Sequence, residues 1–147
     1  MTFLLDEFLP YQLSTASNAV SDLIASEYKS RFGLKIPEWR VMAVLGTRGA
    51  STQRHLVEAT LMDKVTVNRA VKTLVERALL ERSPNSADGR SHHLLLSDTG
   101  RDLYSQILPA AQAMDKKIMA VLGQDEKAEL SAMLAKIKKS ADTIAKA

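Results

Sequence analysis

Apolar residues recur at helical spacing near the N-terminus: Leu13, Ala16, Val20, Leu23, Ile24, Ala25, Tyr28 and Phe32. Pro10 stands where a first-turn proline is tolerated and Gly33 where a helix ends, so the pattern predicts a helix over about Pro10 to Arg31. A second, short and mostly buried helix is expected to open at Pro37 in "PEWRVMAVLGT", with Trp39, Val41, Met42, Val44 and Leu45 apolar and Gly46 and Gly49 closing it. Ser51 or Thr52 can cap a third helix, "TQRHLVEATL". After a brief turn, Asp63 can cap a fourth by accepting from the free N–H groups of its first turn. Two short helices joined by a brief turn have the outline of a helix-turn-helix.

Downstream the period changes. "ALLER" and "HHLLLS" are short strand-like runs around "SPNSADGRS", a polar loop with an Asp-Gly pair, and together they predict a hairpin. Ser97, Asp98 and Gly100 then begin a long helix to about Leu122. Gly123 breaks it, and a last helix places Leu130, Met133, Leu134, Ile137 and Ile144 on one side. The expected fold is mainly α: a winged helix-turn-helix over residues 36–97 with a small β-hairpin wing, and long terminal helices, residues 1–35 and 98–147, forming a dimerisation region. Those helices are too long and too apolar to serve a winged helix alone.

The fourth helix carries the chemistry. At 100° per residue, Val67, Ala70, Val71, Leu74 and Ala78 fall on one face, the predicted core face. Opposite lie Val65, Arg69, Lys72 and Thr73, flanked by Thr66 and Asn68, with Lys64 at the helix start and no acid before Glu76. Such a face matches a B-DNA major groove in width. Arginine can donate twice to guanine, asparagine can read adenine, lysine can meet phosphate or guanine, and valine and threonine methyls can touch thymine. Ser51 and Thr52 are the expected DNA-backbone contacts. At the hairpin tip, Arg90 beside Gly89 could enter a minor groove with Asp88 steadying its guanidinium. The Asp-Gly pair by itself signals only a turn.

Composition trims the alternatives. The chain has 147 residues, enough for one folded unit with helical extensions, and no cysteine, which removes disulfides and thiolate metal sites. A net charge of +3 permits nucleic acid without requiring it. "MTFLLDEFLPYQ" lacks a basic leader and has acids within its short apolar run, so the expected location is the cytoplasm. His55, His92 and His93 are the only histidines. Consecutive histidines in a strand point to opposite faces, and neither a nucleophile motif nor a glycine-rich phosphate loop is present, so no enzyme, metal or cofactor is expected. A winged-helix protein–protein adaptor without specific DNA binding is the competing reading. The cationic face and the few aromatic residues argue against it.

The ordered segments "GLKIPEWRVMAVL", "STQRHLVEAT", "DKVTVNRAVKTLVERALLERS" and "ADGRSHHLLLSDTG", followed by two long helices, resemble the MarR family of winged-helix transcription regulators across nearly the whole chain. The resemblance is carried most specifically by Thr66, Asn68 and Arg69, by Asp88-x-Arg90, and by "LSDTG" at 96–100. It implies a homodimer on a double-stranded DNA operator, with Arg69 and its neighbours in the major groove and Arg90 in the minor groove. It also implies repression and release by a small ligand, commonly an aromatic acid. Tyr11, Trp39 and Arg40 are the candidate effector residues, an aromatic wall and a guanidinium; the plainer alternative makes Trp39 core and pairs Arg40 with an acid. Ala78 departs from the family's helix-ending glycine, so the exit from the fourth helix is expected to be less sharply turned.

Overall fold

Six helices and a three-stranded antiparallel sheet make up the computed structural model, which describes residues 1–84 and 92–147. A single 3-10 turn, Leu5–Glu7, precedes α1 (Leu9–Phe32), where Pro10 occupies the first turn and Gly33, at φ 64°, provides the left-handed cap. The second helix, α2 (Ile36–Arg48), starts with a capping exchange in which Glu38 accepts from the Lys35 N–H at 3.1 Å. That hydrogen bond explains how the Glu38 carboxylate sits buried. Gly46 does not close α2 as the sequence suggested. It lies inside the helix against the Tyr104 ring, where an added Cβ would meet ring carbons at 2.6 Å, and Gly49 alone ends the helix.

A short strand absent from the sequence reading, β1 (Ser51–Thr52), leads into α3 (Gln53–Thr60). After the turn comes α4 (Lys64–Glu76), then β2 (Leu80–Pro84) and β3 (His92–Leu96). The sheet order is β1-β3-β2, with Leu80 opposite Leu96, Pro84 opposite His92, and Thr52 opposite His93. The wing's strands are therefore tied to the start of α3. Pro84 is accommodated because β2 is an edge strand.

Two long helices finish the chain, α5 (Asp98–Met119) and α6 (Gln124–Ala145). The chain divides into two compact units, Met1–Gln112 and Ala113–Ala147. Within the first, the core draws on Ala25 and Tyr28 of α1, Val41, Met42 and Leu45 of α2, Leu56 of α3, four residues of α4, Leu94 and Leu96 of β3, and Ile107 of α5. Packing thus runs across residues 35/36 and 97/98, and the winged helix has the second half of α1 and the first half of α5 as parts of its own core. In the second unit α6 buries no residue, and Met133, Leu134, Ile137 and Ile144 are all exposed. No helix among the described residues is long and apolar enough to cross a membrane.

Candidate nucleic-acid interface

The orientation of α4 follows from its two ends and its buried face. At the start, Asp63 accepts from the Thr66 N–H and from the Thr66 hydroxyl, each at 2.8 Å. These hydrogen bonds hold the Asp63 carboxyl below its ordinary range, so the cap stays charged beside the positive end of the helix. On the inner side Val67, Ala70, Val71 and Leu74 are buried.

At the far end the chain turns back within one residue. The Ala78 N–H reaches the Val75 carbonyl at 2.9 Å and the Leu79 N–H reaches the Leu74 carbonyl at 2.9 Å, a Schellman pattern with Ala78 at φ 59°. Two expectations are corrected here. Ala78 is exposed beyond the helix rather than part of its core face, and the turn is as sharp as a glycine would make it. Alanine adopts this strained conformation because the surroundings over-determine it. The Ser97 hydroxyl donates to the Ala78 carbonyl at 2.7 Å and accepts from the Gly100 N–H at 3.0 Å, while Ser97 N–H donates to Leu79 O at 3.0 Å. Any Cβ on Gly100 would stand 2.0 Å from the Leu79 carbonyl oxygen. The Leu96-Ser97-x-x-Gly100 segment is thus a clasp between the end of α4 and the start of α5. Arg77 adds a second tie, donating to the Phe32 and Gly33 carbonyls at the end of α1 at 2.9 and 3.1 Å. Those carbonyls lack helical partners, and a cation suits that helix terminus.

So held, α4 turns Lys64, Val65, Asn68, Arg69 and Lys72 outward as exposed residues, with Thr66 and Thr73 half-buried. Val65 is 64% exposed, and no carboxylate among the described residues forms an ion pair with any of the three cations. Since the Thr66 hydroxyl is engaged by Asp63, its methyl is the part left for an outside partner.

Of the two proposed backbone contacts, Ser51 is buried and its hydroxyl donates to the Gly49 carbonyl at 3.1 Å, so its side chain is not offered to a phosphate. Strand pairing through β1, invisible in a two-residue stretch of sequence, draws it inward. Thr52 is half-buried and caps α3 by accepting from the His55 N–H at 3.1 Å. Asp88 and Arg90 lie outside the described residues. Sequence reasoning missed Gln53, whose side-chain amide donates to Asn68 Oδ1 across the two helices. The cap at Thr52, which puts Gln53 in the first turn of α3, was the available signal.

The three effector candidates do not come together within one protomer. Trp39 is half-buried in an aromatic stack, its ring centroid 5.5 Å from Tyr28 and 5.7 Å from Tyr104. Arg40 is exposed and has no carboxylate partner among the described residues. Burial pushes the Tyr28 hydroxyl up to about 12, with Arg40 pulling it down and Asp22 raising it. Tyr11 lies on the same continuous helix as Tyr28 but about 25 Å along its axis, so it cannot share a pocket with Trp39 in the same chain.

Comparison with known proteins agrees with this geometry. A family model described as MarR family matches residues 32–91. The HTH-type transcriptional repressor NicR of Pseudomonas putida is 28% identical over 96 residues, covering 65% of this chain and 61% of NicR, so the match spans less than two thirds of that relative. The crystal structure of a probable transcriptional regulator from Pseudomonas aeruginosa is similar at 30% identity and a TM-score of 0.79, covering 91% of this chain and 99% of that one. A MarR/EmrR family transcriptional regulator from Acinetobacter sp. ADP1 superposes with a TM-score of 0.87 at 25% identity, over 96% of this chain and 99% of that one. By fold, by the outward cationic helix and by these relatives, the chain belongs to the MarR family of winged-helix transcription regulators.

Proposed function

We propose that the protein is a homodimeric repressor that binds a pseudo-palindromic operator. The observation that carries this reading is the division of α4 into a fully buried apolar face and an outward face of Lys64, Val65, Asn68, Arg69 and Lys72. Each protomer inserts α4 into a major groove, and two such helices address successive grooves about 34 Å apart on one side of the duplex. Arg69 donates to a guanine edge, Val65 and the Thr66 methyl meet thymine, and Lys64, Lys72 and Thr52 meet backbone or nearby base atoms. Thr73, half-buried, lies at the margin of this contact. The sequence pattern Asp88-x-Arg90 supports a further contact, by Arg90, to the adjacent minor groove.

The exposed apolar rows of α1 and α6 support dimerisation, since a second copy would cover them. Repression is supported by the likeness to NicR, a transcriptional repressor. A small aromatic ligand releases the operator by favouring a dimer with a different spacing between the two α4 helices. Its site narrows to Trp39 and Arg40, with Tyr11 excluded from the same-chain pocket.

Fluorescence anisotropy tests the DNA reading, using the duplex immediately upstream of the protein's own coding sequence against a scrambled duplex at several salt concentrations. Sequence-preferring binding that weakens steeply with salt is expected. Arg69→Ala should cost about 1 to 3 kcal/mol and relax specificity at one base position, whereas Lys72→Ala should weaken all sequences evenly and shallow the salt slope. Wild-type affinity in both variants would overturn the docking. Equally feeble binding to any duplex, including selected ones, would bring the protein–protein adaptor forward.

A further inference from the structure

Strand pairing draws Ser51 inward, which takes one expected DNA-backbone contact off the start of α3. The next cation along the chain is Arg54, in the first turn of that helix, with 91% of its side chain in solvent. Residues 54, 57 and 58 lie three and four apart and so share one face of α3. Opposite them stand Lys64 and Asn68, one turn apart on α4. With Gln53, these side chains line a single groove of about 530 Å3 between the two helices. Arg54 and Lys64 place one cation on each helix, and Glu58 is the only acid lining the groove.

This placement decides what Arg54 meets once α4 is on DNA. A helix with its side chains is about 10 to 12 Å across and a major groove about 12 Å wide, so α4 alone fills it. The face of α3 that borders Lys64 and Asn68 is left at the groove's edge, where the duplex presents phosphates and not base edges.

Glu58 runs against that arrangement, since a carboxylate at the same edge repels phosphate. In the free protein its Oε1 stands 3.6 Å from Arg54 Nε, too far for a strong hydrogen bond, and its own side chain is 64% exposed. Such a solvent-exposed pair is weak. A phosphate offers the guanidinium two oxygens in a bidentate geometry, and its neighbours along the strand add to the attraction. The phosphate is the stronger acceptor, so the ion pair opens on binding.

We infer that Arg54 contacts the DNA backbone in each half-site and that Glu58 competes with the phosphate for it, lowering affinity for every sequence alike. The inference rests on α4 entering the major groove.

Fluorescence anisotropy over a salt series tests it, with the full-length wild type, Arg54→Ala, Arg54→Lys, Glu58→Gln and the Arg54→Ala/Glu58→Gln double variant on both the upstream and the scrambled duplex. Arg54→Ala should weaken both duplexes by the same factor and flatten the slope of log affinity against log salt by about 0.9 for each half-site. Arg54→Lys keeps the charge and should restore the slope. Glu58→Gln should act in the opposite direction, tightening both duplexes about threefold. That gain should shrink when Arg54 is already alanine, because competition for a shared partner makes the two substitutions non-additive. Thermal melting reports any structural role. A pair that only braces α3 would lower the melting point in both single variants and change DNA affinity in the same sense in both.

An unchanged salt slope in Arg54→Ala would overturn the inference, as would a loss confined to one duplex or weaker binding by Glu58→Gln. A gain from Glu58→Gln of the same size with and without Arg54 would show general repulsion and overturn the competition. A wild type that binds neither duplex even at low salt would instead overturn the DNA-binding reading itself, and this inference with it.

Discussion

Helices α4 and α6 are both amphipathic, yet one chain covers the apolar face of the first and leaves that of the second open. In α4 the buried face is complete within a protomer, with Val67 and Leu74 both at 0% exposure. In α6 nothing is buried, and Ile137 and Ile144 remain 49% and 71% exposed. An exposed apolar residue therefore means different things in the two places. Val65 alone would be ordinary on a protein surface, and its frame of three cations is what supports the proposed DNA contact. The α6 residues form a row with helical spacing, and that row is the face proposed to be covered by a second copy.

The sharpest way to break this contrast is to damage each face in turn. Leu74→Ala removes a fully buried side chain of α4. It should cost about 3 kcal/mol of folding stability, measured as a drop in urea midpoint that is the same at low and high protein concentration. Ile137→Asp on α6 should leave the far-UV circular dichroism unchanged and weaken self-association at least tenfold, about 1.4 kcal/mol. Sedimentation would then show a population at the protomer mass of 16.2 kDa. An unaltered assembly in Ile137→Asp would mean that α6 is not the face a second copy covers, and a concentration-dependent loss in Leu74→Ala would mean that the core of α4 is not self-sufficient.

What the sequence made legible follows the same division. Helical period and caps placed α1 to α6 within a few residues, because each is an amphipathic run with a local start or stop signal such as Asp63 or Gly33. The outward face of α4 was legible for the same reason. Long-range features were not. The strand at Ser51–Thr52 exists only because β3 pairs with it. Gly46 looks like a helix terminator until Tyr104 is brought against it. Both the Gln53 contact to Asn68 and the Arg77 contact to the end of α1 join residues whose proximity is decided by packing. Tyr11 and Trp39 were grouped by chemical likeness, and the length of one straight helix separates them.

The smallest expected effect bears on what aims the covered helix. Ala78 pays for its left-handed φ of 59° at the exit of α4, and its side chain is exposed, so replacing it removes no packing. A non-glycine residue in this region costs about 1 to 2 kcal/mol, and the extra freedom of glycine in the unfolded chain returns roughly 0.4 to 1 kcal/mol of that. Ala78→Gly should therefore stabilise the fold by about 0.5 to 1 kcal/mol, read as a higher urea midpoint at fixed protein concentration. Operator affinity should stay within about twofold of wild type if the Ser97 clasp, the Gly100 approach and the Arg77 tie hold α4 in place, since these contacts use backbone atoms that the substitution keeps. A stabilised variant with much weaker binding would mean that the strained alanine itself sets the angle of α4, and that the clasp only follows it.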